Sequence, residues 1–369
     1  MSRLGSLFDG NPILRVALAV PVLIMFVFSF FNLSAPLDQQ RAIGALDVGL
    51  VNADEGVGPM VLSENLTGAM GAALPFTLVS LSDEDAGRAA LDAGTISALV
   101  LIPADFTQAA TTGGPISLRV IGTQHLSAVE SQFGAMLGGQ LQAGVSAALA
   151  QALAPLGRTP PAVIVESEML HSAANATTLM AAPIMVFAIW VAGLAGSAAL
   201  FAATRALAVS RGAATVAWLR TLPPAAVTGL ATLLLALTVA WLTGQWGGFF
   251  ALWLLSWLAA YAVTVLFGGL FASIGLWALI LIVPTVFYQA TLSGAQAPVA
   301  AAPDWLAWFG EALPFSALPE ALRSVLIGGP VGPLVPVASL TALIGVALIF
   351  AGTYLWAGRN RAASPELHA

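Results

Sequence analysis

The sequence predicts a polytopic α-helical membrane protein. Six transmembrane helices fall in a 1+5 arrangement, with a small α/β extracytoplasmic domain inserted between helices 1 and 2. Three observations carry this. Of 369 residues, 59% are hydrophobic and 8% charged, where a soluble domain is about 25% charged. The apolar residues gather in runs long enough to cross a hydrocarbon core about 30 Å thick, which takes about 20 of them. The charges are segregated, with thirteen of the eighteen acids lying between residues 34 and 175.

The first span is ILRVALAVPVLIMFVFSFFNL (13–33), preceded by Arg3 and Arg15. No A-x-A cleavage pattern follows it, so residues 1–33 are read as a cytoplasmic N-terminus and an uncleaved anchor. From Ser34 to Asn175 the pattern is that of a soluble domain. Short β-type runs recur at 45–52, 75–81, 95–102 and 116–122 and alternate with helical patterns, which argues for an α/β sandwich. SDEDAGRAALDAG (82–94) reads as a helix with Ser82 as N-cap and acids in its first turn. PADFTQAATTGG (103–114) reads as another, with Pro103 at N1. A long helix is expected from Gln124 to about Leu153, since Leu126, Val129, Phe133, Leu137, Leu141, Val145, Leu149 and Leu153 fall on one face. AVIVESE (162–168) reads as a returning strand. Asp83, Glu84, Asp85 and Asp92 lie on a solvated helix face, and Asn52, Asp54 and Glu55 in a strand-to-turn.

A second span covers 176–204 and is followed by a short loop, 204–222, with Arg205, Arg211 and Arg220. The next 83 residues, 221–303, carry no charge. Sidedness sets how often they cross. Short arginine-bearing segments stay on the cytoplasmic side. Segments 1–15, 204–222 and 357–369 hold seven arginines in 47 residues, whereas 34–175 and 293–333 hold five in 183, with sixteen acids. The uncharged run then crosses an odd number of times. Three crossings fit, at about 223–243, 249–268 and 271–292, with breaks at TGQWGG (243–248) and FGGLFAS (267–273). A last span, 334–356, leads to a cytoplasmic C-terminus with Arg359 and Arg361. The five-helix membrane part is thus 176–369. Ala192/Gly196, Gly193/Ser197, Gly268/Ala272 and Gly269/Ser273 are small-xxx-small pairs suited to helix packing.

Several chemistries are excluded. There is no cysteine and no lysine, so thiolate chemistry, the Walker A lysine and the Schiff-base lysine are absent. His125, His171 and His368 are far apart in sequence. No catalytic group, metal, cofactor or nucleic-acid partner is expected. No acid, arginine or histidine lies mid-span, which disfavours ion-driven transport and suits an apolar or amphipathic cargo. Thr285, Tyr288 and Gln289, after Pro284, are candidates for lining a path.

Between the last two spans, LPFSALPEALRSVLIGGP (313–330) carries Glu320 and Arg323. It is too short to span. Pro319 fits the first helical position, Glu320 the positive helix start, and Gly328–Gly329 the stop. PDWLAWFGEALP (303–314) forms a preceding short helix with Trp305, Trp308 and Glu311. Together, 293–333 read as a helical hairpin at the outer membrane face.

VGLVNADEG, LDAGTISALVLIPADFTQ, SRGAATVAWLRTLPP (210–224) and the 292–329 segment, taken in order, resemble the signatures of type-2 ATP-binding-cassette (ABC-2) permeases, including the phage-infection-protein-like subgroup. The resemblance covers nearly the whole chain. It implies a permease subunit in the bacterial inner membrane, exporting a lipid or drug-like substrate and powered by a separate ATPase subunit docked at Arg205, Arg211 and Arg220. It also implies a second permease chain, completing twelve helices, and a re-entrant lid at the hairpin. Where many relatives carry glutamates in the docking loop, this chain has Ala213, Ala214 and Ala217. The alternative is a non-transporting receptor or scaffold, phage-receptor-like, whose extracytoplasmic domain binds a partner.

Overall fold

The computed structural model describes residues 22–27, 43–44, 46–57, 62–64, 67, 76–126, 128–291 and 317–362. Its α/β part holds β1 (Asp47–Asn52), β2 (Thr77–Ser80), α1 (Glu84–Asp92), β3 (Ala98–Ile102), α2 (Phe106–Thr112), β4 (Ile116–Gly122), α3 (Ala128–Leu153) and β5 (Val163–Met169). The strands form one sheet in the order β2-β1-β3-β4-β5. All neighbours are parallel except β3 and β4. The middle strand β3, ALVLI, is buried at every position, as a strand covered on both faces must be. On one face Phe133, Leu137, Leu141, Val145 and Leu149 of α3, with Phe106 of α2, pack on Val48, Val100 and Leu118. On the other face Leu91 of α1 packs with Val51, Leu99 and Ile121.

Two helix starts differ from the sequence expectation. The N-cap of α1 is Asp83, not Ser82. Asp83 Oδ1 accepts from the Ala86 amide at 2.8 Å, and the Ser82 hydroxyl donates to Asp83 Oδ2 at 2.8 Å. A carboxylate suits the positive helix end better than a hydroxyl, and the serine orients it. Helix α2 begins at Phe106, three residues after Pro103. Its first turn is capped from outside, because the Asp54 carboxylate accepts from the Thr107 amide (3.0 Å) and the Thr107 hydroxyl (2.6 Å). That tertiary bond fixes where the helix starts.

The second part holds α4 (Ala176–Thr204), α5 (Leu207–Ser210), α6 (Ala213–Thr243), α7 (Phe249–Ile274), α8 (Ala278–Thr291), α9 (Ala317–Ile327) and α10 (Leu334–Ala362). Among the described residues, four stretches are long and apolar enough to cross a membrane: Ala176–Thr204, Ala213–Thr243, Phe249–Gln289 and Leu334–Arg359. The first expected span lies largely outside the described residues.

The break expected at 267–273 falls instead at Gly275–Trp277, a short 3-10 turn between α7 and α8. Gly275 has φ 65° and ψ −145°, a conformation that L side chains avoid and that no helix contains. Gly268 and Gly269 stay inside α7 because they serve packing. A Cβ on Gly269 would meet Leu348 Cβ at 2.6 Å and the Gly345 carbonyl of α10 at 2.9 Å. The small-xxx-small pairs of α7 are therefore the contact with α10, within one chain.

Helix α6 also begins ten residues earlier than the expected 223. Pro223 and Pro224 lie inside it, so the double proline is accommodated within the helix rather than ending it. The bundle has two distinguishable ends. At one, which we call the loop end, Arg205, Gly275, Trp277, Trp356 and Arg359 line a shared cleft of about 420 Å³. At the other, the domain end, α9 meets the α/β part: Gly328 abuts the His171 ring and Gly329 the His125 ring.

Candidate functional site

At the loop end, Arg205 follows α4 and Arg211 follows α5, both exposed. Arg220, expected beside them in the loop, is elsewhere. It sits inside α6, 6% exposed. Its Nε donates to Thr204 Oγ1 at 2.8 Å and its Nη1 to Thr353 Oγ1 at 3.0 Å. The guanidinium carbon lies 5.2 Å from the centroid of the Phe201 ring, a cation–π contact. Arg220 therefore ties α6 to α4 and α10. The sequence hides this because the proline pair after it mimics a helix start.

Between α4, α6 and α7 lies a cavity of about 470 Å³ lined by Ala188, Ile189, Ala192, Gly193, Gly196, Leu200, Pro223, Pro224, Val227, Thr228, Ala231, Thr232, Leu235, Ala260 and Thr264. Its three threonines offer no free proton, since their hydroxyls donate to the carbonyls of Pro224, Thr228 and Ala260. The wall is thus effectively apolar. Val227, on its lining, is 65% exposed, so the cavity opens on the flank of the bundle. Ala192 and Gly196 help to shape it. An added Cβ at Gly196 would meet nothing within 4 Å, whereas at Gly193 it would meet Val263 Cγ1 at 2.6 Å. Of two similar sequence pairs, one residue packs and another leaves space. Thr285, Tyr288 and Gln289 do not line this cavity. Tyr288 and Gln289 are fully buried, and the Thr285 hydroxyl donates to the Leu281 carbonyl at 2.8 Å.

At the domain end, α9 is wedged rather than laid on a surface. Leu318, Ala321, Leu322 and Leu326 enter the bundle core, and Arg323 is 5% exposed. Burial lowers the Arg323 pKa to about 10, opposed by the charges of Glu130 and Glu320. Burial raises that of Glu320, opposed by Arg323. The sequence pairs Glu320 with Arg323 but gives no sign of Glu130, which comes from α3 and accepts from the Ser97 hydroxyl at 3.1 Å. Trp305, Trp308 and Glu311 lie outside the described residues.

The fold also unites two histidines 46 positions apart. The His125 and His171 rings stand edge to face at 5.2 Å. His171 Nε2 lies 2.6 Å from Asp92 Oδ1, and His125 Nδ1 lies 2.6 Å from Thr123 Oγ1. Among the described residues no group of three His, Cys, Asp or Glu could hold a metal. Of the α1 acids, Glu84 takes part in an ionic quartet with Glu168 of β5, Arg88 and Arg119 each bridging the two carboxylates at 2.7–3.0 Å.

Taken together, a bundle of spanning helices with an apolar flank cavity and an α/β domain wedged against one end defines a multi-pass membrane protein. The profile described as ABC-2 family transporter protein matches residues 13–356. The chain belongs to that family. Membership places it among transmembrane subunits of transporters rather than enzymes, a class that works with an ATPase subunit. Over 33% of its length the chain is similar to the crystal structure of a domain of a putative ABC type-2 transporter from Thermotoga maritima MSB8, at 20% identity and a TM-score of 0.26, covering 86% of that chain. No curated protein matches the chain.

Proposed function

We propose that this chain is the permease subunit of an exporter in the bacterial inner membrane. It moves a hydrophobic or amphipathic substrate, lipid or drug-like, out of the cell while a separate ATPase subunit supplies the energy. The observation that carries the reading is the apolar cavity between α4, α6 and α7, open on the flank that faces lipid and lacking free polar groups. An apolar cargo can enter it from the bilayer without crossing water. In this reading the loop end is cytoplasmic, because it carries the short arginine-bearing segments, and the α/β domain stands outside. Both termini are cytoplasmic, and two chains make the working unit. Exposed Arg205 and Arg211 meet the ATPase, while Arg220 faces inward. The hairpin with Trp305, Trp308, Glu311, Glu320 and Arg323 covers the exit.

The test is co-purification with ATP-binding-cassette ATPase subunits from the native membrane, followed by hydrolysis measured in proteoliposomes. A hydrophobic dye is expected to stimulate hydrolysis, and Arg205→Glu with Arg211→Glu is expected to abolish association while leaving membrane insertion intact. If no ATPase binds and the double variant changes nothing, the exporter reading fails, and a receptor role for the α/β domain replaces it.

A further inference from the structure

We propose that the cleft at the loop end binds a phosphodiester anion, and that an anionic lipid at the membrane face supplies it. This goes beyond the exporter reading. It assigns a bound lipid to a place apart from the flank cavity and needs neither cargo nor ATPase.

The position of the cleft is the first support, because three span ends meet there. Arg205 directly follows α4. Arg359 closes the apolar stretch Leu334–Arg359. The turn Gly275–Trp277 divides the stretch Phe249–Gln289. That stretch has 41 residues, about 61 Å of helix, or twice a hydrocarbon core of about 30 Å. Helix α7 alone, with 26 residues, covers about 39 Å and crosses once. The turn that follows it therefore lies at a membrane face, and the cleft with it.

Charge is the second. Arg205 and Arg359 both line the cleft and both are exposed, so an anion reaches them without passing through the protein. No acid lines it. Among the described residues no carboxylate pairs with either arginine. The C-terminal ends of α4, α7 and α10 oppose an anion here, each with about half a negative charge. The positive start of α8 and the two arginines outweigh them, leaving about one positive charge. A guanidinium fork matches phosphate oxygens in pairs.

The walls are the third. The cleft holds about 420 Å³, room for about fourteen water-sized groups at about 30 Å³ each. Phe201 and Phe271 stack at 5.7 Å along it. Trp277, 54% exposed, and Trp356 line it too. An indole, apolar in body with one N–H, suits the boundary between headgroups and chains. A soluble anion would answer the arginines and leave the rings in water. An apolar molecule would do the reverse. A lipid with an anionic headgroup answers both, its phosphate on the arginines and its first chain carbons against the indoles. Basic pockets between spanning helices hold anionic headgroups in this way.

The test uses the full chain in nanodiscs of equimolar phosphatidylglycerol and phosphatidylcholine, with the retained lipid counted by native mass spectrometry. Wild type is expected to prefer phosphatidylglycerol by about tenfold, the order set by two arginines at an anionic surface less the effect of the helix ends. Arg359→Gln is expected to lower the ratio to about threefold, and Arg205→Gln with Arg359→Gln to about one. Ser273→Glu, at an exposed position of the cleft, adds a negative charge while both arginines stay, and is also expected to bring the ratio to about one. Arg205 is shared with the docking loop, whereas Arg359 and Ser273 are not, so their variants test the cleft alone. Arg211→Gln removes a charge from the same end without touching the cleft and is expected to keep the preference. Excess inorganic phosphate is expected to leave the retained lipid in place. Equal retention of the two lipids by wild type overturns the proposal, as does an unchanged ratio in the double variant or in Ser273→Glu. A loss in Arg211→Gln equal to that in Arg359→Gln would mean diffuse surface charge and overturn it too. Displacement of the lipid by inorganic phosphate would mark a soluble-anion site instead. A double variant of lower stability with its preference intact would reduce the arginines to partners of the helix ends. Should the double variant fail to fold, Arg359→Gln and Ser273→Glu decide.

Discussion

Gly345 offers a controlled measure of what holds the spans together. A Cβ added there would lie 2.5 Å from the Leu266 nitrogen and 2.6 Å from the Val265 carbonyl carbon. Carbon contacts settle at about 3.5–4.0 Å, so Gly345→Ala forces α7 and α10 apart by about 1 Å. The obstacle is backbone, which cannot swing aside as a side chain would. The same seam contains Gly269 and Gly352, whose added Cβ atoms would meet Leu348 and Ala272 at 2.6 Å. Opening it by 1 Å weakens every contact along it, since a gap of that size forfeits about a quarter to a half of each dispersion well. Overpacking costs about 1–3 kcal/mol, and alanine recovers at most about 1 kcal/mol of helix propensity. The net expectation is a loss of about 1–2 kcal/mol, or about 5–30-fold in the folded-to-unfolded ratio. Reversible unfolding in mixed detergent micelles, followed by tryptophan fluorescence, measures it. Gly196→Ala is the control, because its new methyl meets nothing within 4 Å, and it is expected to match wild type or exceed it slightly. Equal stability of the two variants would refute the idea that Gly345 is small for the sake of this contact.

Three further outcomes follow from the α/β domain and its joint. Hydrogen bonds from Arg88 and Arg119 hold the carboxyls of Glu84 and Glu168 below glutamate's ordinary 4.5. Their contribution is complete above that value and is lost as the pH falls through the depressed range. Arg119→Ala should therefore lower the domain's melting temperature at pH 7 by only a degree or two, the quartet being partly exposed, and by less at pH 3, as circular dichroism would register. His125 is pushed down to about 4 by burial and by the neighbouring His171, with Arg323 adding to the effect and Asp92 opposing it. The folded protein refuses a proton that the unfolded chain accepts below about 6.5, so stability should decline between pH 6.5 and 4, and His125→Asn should flatten that decline. Gly329 has φ 114°, and its added Cβ would stand 2.9 Å from the His125 ring. Gly329→Ala is expected to loosen the joint, seen as faster amide exchange over α9 with the sheet core unchanged.

Elements with strong periodicity or burial were legible in the sequence. The apolar face of α3 and the continuous run of β3 each state their own environment. What stayed hidden was non-local. Nothing adjacent to Gly268 or Gly275 says which of them bends the chain; the answer lies in α10, whose Gly345 needs Gly269 to stay helical. Arg220 looks like a loop residue because prolines follow it, and its hydroxyl partners, Thr204 and Thr353, are 16 and 133 positions away. Glu130 joins Arg323 only through the fold. The cavity depends on Gly196 remaining unfilled, which no spacing rule distinguishes from Gly193.

Asn175 closes the α/β domain with a double grip. Its Oδ1 accepts from the Thr178 amide at the start of α4, and its Nδ2 donates to the Thr243 carbonyl at the end of α6. With α9 wedged on the other side, the domain is clamped to the bundle rather than hung from it. Tilting the sheet and parting α4 from α6 thus become one mechanical coordinate. A rigid antibody fragment that fixes the sheet's tilt should also fix the width of the flank opening, making the α/β domain a handle on a gap in the helix bundle.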